Sequence, residues 1–135
     1  MKKKNTFDPG IRLSIFDMAV LVLGAAGGVA VGKFDAALGF AVAFTVAYFF
    51  LFCNLIRMAR PLELVWALLF AVLSSCTVLI NIPTWTQTFS AAFLHTLVLV
   101  AIQLRSPSYH GIFWKQLNPG LPNWWVLEAK AAGKN

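Results

Sequence analysis

Charge is what this chain has least of. Only 12% of its 135 residues are Asp, Glu, Lys or Arg, against about 25% in soluble domains. A chain this poor in charge and 59% hydrophobic could not cover its own surface in water, so its natural solvent is lipid. Cysteine is also scarce. Cys53 and Cys76 both lie in apolar runs, with no Cys-x-x-Cys spacing, which argues against a disulfide scaffold or a thiol redox motif. Both read as small buried hydrophobes. His95 and His110 are the only histidines. Metal sites usually need three or four ligands, and none cluster here, so neither metal nor cofactor is expected. There is no internal repeat, no low-complexity tract, and no catalytic or nucleotide motif. The length allows one domain.

The net charge of +6 is not a nucleic-acid footprint. The basic residues sit at segment ends instead of along one stripe, a pattern that sets membrane orientation. Nucleic acid is therefore not an expected partner; the lipid bilayer is.

Four apolar runs are present, at about 11–32, 36–56, 62–80 and 85–104. Each holds close to 20 residues, enough for a helix to span a hydrocarbon core of about 30 Å. They lack the alternation of a barrel strand, and helices satisfy their own backbone in lipid. The start, Met1-Lys2-Lys3-Lys4, resembles a signal peptide. The run that follows is longer than the usual h-region of about 7–15 residues and contains Asp17, so it is expected to stay as the first span. Short breaks at Gly32–Asp35, Arg57–Pro61 and Asn81–Thr84 make consecutive helices antiparallel neighbours. The expected fold is an all-α bundle of four transmembrane helices over 1–105.

Lys2, Lys3, Lys4, Arg12, Arg57, Arg60, Arg105, Lys115, Lys130 and Lys134 fall on one side, and only Lys33 on the other. That asymmetry predicts cytoplasmic N- and C-termini in a multi-pass protein of the plasma (inner) membrane. The remaining 106–135 form a cytoplasmic tail. Pro107, Pro119 and Pro122 argue against a long helix there. Tyr109, Trp114, Trp124 and Trp125 make it too aromatic for a solvated tail, so 109–127 should lie on the inner membrane surface or dock on a partner. Glu128 to Asn135 reads as disordered. Trp85 should anchor the outer interface.

Four features could carry function. Gly24, Gly28 and Gly32 recur every four residues, a ridge that lets helix backbones approach closely. It packs either another helix of this chain or a second chain. Asp17 shares the face of Gly24 and Gly28 about one turn inside the membrane, where an acid should have a partner. Arg12, Arg57, Arg60 and Arg105 lie near that depth. The alternatives for Asp17 are a structural ion pair, an exposed interfacial acid, or a proton or cation site. Glu63 suits the first turn of the third helix, complementing its dipole. His95 falls near the middle of the fourth helix, where Ser74, Ser75 and Thr77 could hydrogen-bond it; a functional role is the alternative.

The leading functional expectation is a non-enzymatic accessory or structural subunit, packed against copies of itself or other membrane subunits. A small transporter or ion- or proton-conducting oligomer built on Asp17 and His95 is one alternative. A membrane-anchor subunit of an enzyme or redox complex is another. A conducting oligomer requires a hydrated path along Asp17, Ser74, Thr77 or His95, whereas an accessory subunit packs them dry.

Overall fold

The computed structural model describes residues 7–133. Lys2, Lys3, Lys4 and Lys134, counted above for orientation, lie outside the described residues. Four helices are long and apolar enough to cross a membrane. They are α1 (Ile15–Gly32), α2 (Ala36–Phe50, running on as a π-helical turn Leu51–Ile56), α3 (Arg60–Ile80) and α4 (Trp85–Leu104). Two short helices follow, α5 (Trp114–Leu117) and α6 (Leu121–Ala131). At 1.5 Å per residue, spans of 18 to 21 residues reach about 27–32 Å, the thickness of a hydrocarbon core. The chain is a small multi-pass membrane protein, a four-helix bundle without strands among the described residues. Side chains such as Leu23, Leu64 and Leu79, more than two-thirds exposed, face outward where lipid replaces water.

Local chemistry sets the helix ends. The first helix begins at Ile15 instead of near Ile11, because Ser14 caps it. The Ser14 hydroxyl accepts from the Asp17 N–H at 3.2 Å, and Asp17 Oδ2 accepts from the Ser14 N–H at 2.9 Å. This reciprocal box satisfies two of the N–H groups that a helix start leaves open. Asp35 starts α2 in a similar way, accepting from Ala37 and Leu38. Thr84 and Gln87 box the start of α4. Pro61 sits in the first turn of α3, where its missing N–H costs nothing.

Two kinds of seam hold the spans together. Between α1 and α2 the seam is made of glycine. A Cβ on Gly28 would sit 3.2 Å from the Gly39 carbonyl oxygen, and one on Gly32 would sit 3.7 Å from the Gly39 Cα. Gly24 lies under Val46. Backbones this close gain dispersion contacts, the main attraction left when lipid removes the hydrophobic drive. The seam between α3 and α4 is polar. Trp66 Nε1 donates to Thr96 Oγ1 at 2.9 Å, and the hydroxyls of Thr77 and Thr88 share a 2.7 Å hydrogen bond.

Aromatic rings fill the space between the two hairpins. Phe40, Phe44, Tyr48 and Phe52 repeat every four residues along α2 and its π turn, which places them on one face. Tyr48 stacks on Trp66 with centroids 4.9 Å apart, Trp66 stacks on Phe70 at 5.2 Å, and Phe44 meets Phe70 and Phe89. Trp85 stacks on Phe89 at 5.5 Å. One hairpin is thus zipped tight by glycine, and the pair is spaced by a ladder of rings.

The tail holds only two short helices, as its prolines imply, and differs from expectation at its end. Pro122 falls in the first turn of α6, where proline is tolerated, and the helix runs on to Ala131. Residues from Glu128 to Ala131, expected to be disordered, are its last turn; 134–135 lie outside the described residues. Tyr109 and Leu121 are fully buried. The tail is therefore docked on its own chain: Phe7 packs edge-to-face on Trp114 and on Trp125 at 5.8 and 5.6 Å. Trp124 in turn meets Trp125 at 6.4 Å.

Candidate functional site

The polar chemistry of the molecule gathers at the end where α2 leaves the bundle. The π turn Leu51–Ile56 ends at Arg57, whose φ of 51° turns the chain left-handed, and the Met58 N–H bonds back to the Phe52 carbonyl at 2.8 Å. Helix ends leave carbonyls open, and here two other segments fill them. The Arg12 N–H donates to the Asn54 backbone carbonyl at 3.1 Å, and the Ile112 N–H donates to that of Leu55 at 2.8 Å. Gly10 joins the N-terminal arm to the tail through the His110 carbonyl at 2.7 Å. Gly111 is a glycine for a steric reason. A Cβ there would lie 2.5 Å from the Ile56 carbonyl oxygen and 2.6 Å from that of Leu55.

Asn54 is the hub of this end and is 2% exposed. With its amide nitrogen turned toward the acceptors, it donates to Asp17 Oδ2 at 3.0 Å and to the Arg12 carbonyl at 2.6 Å. Asp17 therefore finds a different partner from the arginine expected of it. A backbone N–H and a buried amide occupy its carboxylate, because the acid belongs to the capping turn. Cys53 departs from its reading as a small hydrophobe. The Cys53 thiol donates to Glu63 Oε1 at 3.0 Å, so this thiol serves as a donor to the first turn of α3.

Beside this knot opens a cleft of about 610 Å³. Arg12, Arg57 and Arg60 line it with Glu63, and Gln103, Ser108 and His110 contribute from the far side. Arg57 Nη1 donates to the Asp8 carbonyl, which fixes its guanidinium. Burial lowers the pKa of Arg57 from its ordinary value; the neighbouring Arg12 cation lowers it further, and Asp8 acts the other way. His110 Nδ1 lies 2.7 Å from the Ser108 carbonyl. A carbonyl only accepts, so Nδ1 carries the proton and Nε2 is left to face other partners. Gln103, buried, accepts from the Ala59 N–H. Tyr109 closes the tail with a hydrogen bond from its hydroxyl to the Ile112 carbonyl, and burial pushes its phenol pKa up. Three guanidiniums around one cleft supply planar, forked donors suited to carboxylate or phosphate.

The residues nominated from sequence as an intramembrane polar site do not converge. Arg57 and Arg60 line this cleft. Thr77 is spent on Thr88 and on the Leu73 carbonyl. Ser75 bonds the Ala71 carbonyl of its own helix. Ser74 lines an apolar groove of about 630 Å³ between α1, α2 and α3. The expected hydrogen bond to His95 is thus absent: His95 Nε2 and Ser74 Oγ are buried without partners. Gly24, Gly28 and Gly32 lie against α2 of the same chain. Among the described residues no three His, Cys, Asp or Glu side chains come together as metal ligands would.

Sequence reasoning missed Asn54, Gly111 and the aromatic ladder. Only the ladder leaves a local signal, its spacing of four. Fold and site together define a four-span membrane protein with one apolar belt and one basic, polar end. The chain matches no protein-family model, and neither a curated protein nor a solved structure matches it.

Proposed function

We propose that this chain is a non-enzymatic accessory subunit that works by holding a shape in the membrane, packed against other membrane subunits or copies of itself. The observation that carries the reading is the self-bonded α3–α4 seam. Thr77, Thr88, Trp66 and Thr96 bond to one another and, for Thr77 and Thr96, to carbonyls of their own helices, so their polar atoms serve cohesion between the two spans. The apolar outer faces are then free to meet lipid or neighbours. Extraction in mild detergent, followed by size analysis and mass spectrometry of what copurifies, tests it. A stoichiometric membrane partner or a defined homo-oligomer is the expected result. A lone monomer that passes ions in liposomes would sink the reading, and a copurifying catalytic subunit would recast the chain as that enzyme's anchor.

The orientation belongs to the same proposal. Arg12, Arg57, Arg60 and Arg105 lie at the end shared by the N-terminal arm and the tail, and Lys33 lies at the other. This asymmetry supports cytoplasmic termini in the plasma (inner) membrane. Reporter fusions after Gly133 and in the 57–59 turn should score cytoplasmic, and one at Lys33 external; the reverse pattern would overturn the assignment. A second reading, an ion-conducting oligomer, draws on the unpartnered Nε2 of His95 and Oγ of Ser74. In that case His95→Leu would abolish flux while leaving the assembly intact.

A further inference from the structure

We propose that the basic cleft holds the phosphate group of an anionic membrane lipid. Arg12, Arg57 and Arg60 all line it, and the Arg12 guanidinium is close enough to disfavour the charge on Arg57. Like charges gathered around the partly buried Arg57 are stabilised by a bound anion. The one carboxylate in the lining is Glu63, set against three guanidiniums, so the lining keeps a net positive charge. Arg57 is held by the Asp8 carbonyl through Nη1, so the rest of its fork is pre-oriented for a tetrahedral oxyanion. Ser108 and His110 bring further polar groups from the tail.

The position of the cleft selects a lipid over a free anion. It lies at the end of the apolar spans, at the depth where headgroups sit. Phe49 and Met58 form part of its wall, and Phe49 is 40% exposed on the flank of α2. A headgroup seated among the arginines would leave its acyl chains running down that apolar flank. Basic pockets between helices commonly take anionic headgroups by this chemistry. The proposal is independent of the accessory-subunit reading, since either could fail alone.

The test uses the full chain, purified in neutral detergent, stripped of lipid, and offered phosphatidylglycerol or phosphatidylcholine during native mass spectrometry. Phosphatidylglycerol should stay bound where phosphatidylcholine is lost. Arg12→Gln with Arg60→Gln should weaken retention by about tenfold or more, the effect of losing charge-assisted hydrogen bonds. The charge-matched pair Lys115→Gln with Lys130→Gln, outside the cleft, should leave it unchanged. Thermal unfolding in the same detergent checks the fold. Should the double variant not fold, the exposed Arg60→Gln alone is expected to weaken retention about threefold. Equal retention of the two lipids, or equal effects of the cleft and control variants, overturns the proposal. Displacement of phosphatidylglycerol by millimolar inorganic phosphate would assign the cleft to a soluble anion and overturn the lipid.

Discussion

Gly39→Ala should cost the chain most of its folded yield, although it adds only one methyl group. The added Cβ would lie 2.4 Å from the Gly32 Cα, and 2.6 Å from both the Gly28 carbonyl oxygen and the Gly32 nitrogen. All three are backbone atoms, so no side chain can rotate aside. Relief requires α1 and α2 to separate along the seam where Gly28 and Gly32 meet Gly39. Overpacking of this kind costs about 1–3 kcal/mol and sometimes more, and in lipid the lost close approach is itself the association energy. Sequence spacing alone singles out Gly28, the centre of the ridge. The geometry moves the most sensitive point to its partner on α2. Gly27→Ala is the control, since its Cβ would meet nothing within 4 Å. The measurement is the yield of monodisperse protein and its thermal midpoint in detergent. Equal values for the two alanine variants would refute so close an approach of α1 to α2.

Asn54→Asp is expected to be nearly as damaging, for an electrostatic reason. The buried amide nitrogen now donates to Asp17 Oδ2 and to the Arg12 carbonyl. A carboxylate in its place has no proton to give. It would face one anion and one carbonyl at hydrogen-bond distance, turning two attractions into repulsions. Asn54→Ala should be milder, because it removes the donor without adding charge. Asp17 Oδ2 keeps the Ser14 N–H, so the main loss is one hydrogen bond to a charged group, about 1.5–3 kcal/mol. The order wild type, Asn54→Ala, Asn54→Asp should therefore appear in thermal midpoints. It should also appear as rising reactivity of Cys53, which sits next to Asn54 on the π turn. Indistinguishable Ala and Asp variants would show that Asn54 does not face Asp17.

What could be read from the sequence was local. The four spans stand out because each run of about twenty apolar residues must bury its backbone by itself. The Ser14-x-x-Asp17 spacing is equally local, but an acid one turn inside an apolar run reads as well as an ion pair, an exposed interfacial acid or an ion site. A cap explains it at lower cost, since the acid sits in the first turn. Pro122 keeps the tail from forming one long helix yet is tolerated in the first turn of a short one. The basic cleft was not legible, because Arg12, Arg57 and His110 come from three distant segments. Gly111 was equally silent; its reason is a carbonyl more than fifty positions earlier in the chain.

The π turn at Leu51–Ile56 bears on how the protein is made. A chain emerging from its N-terminus completes α1 and α2 early, and that hairpin can zip along its glycines without help. The carbonyl of Leu55 must wait for Ile112, and the surface of Ile56 must wait for Gly111. The segment that seals the first hairpin is thus made only after all four spans. Until it arrives, that end of the hairpin remains an open seam, and a chain cut short before Gly111 would enter the membrane with the Leu55 carbonyl still waiting for its partner.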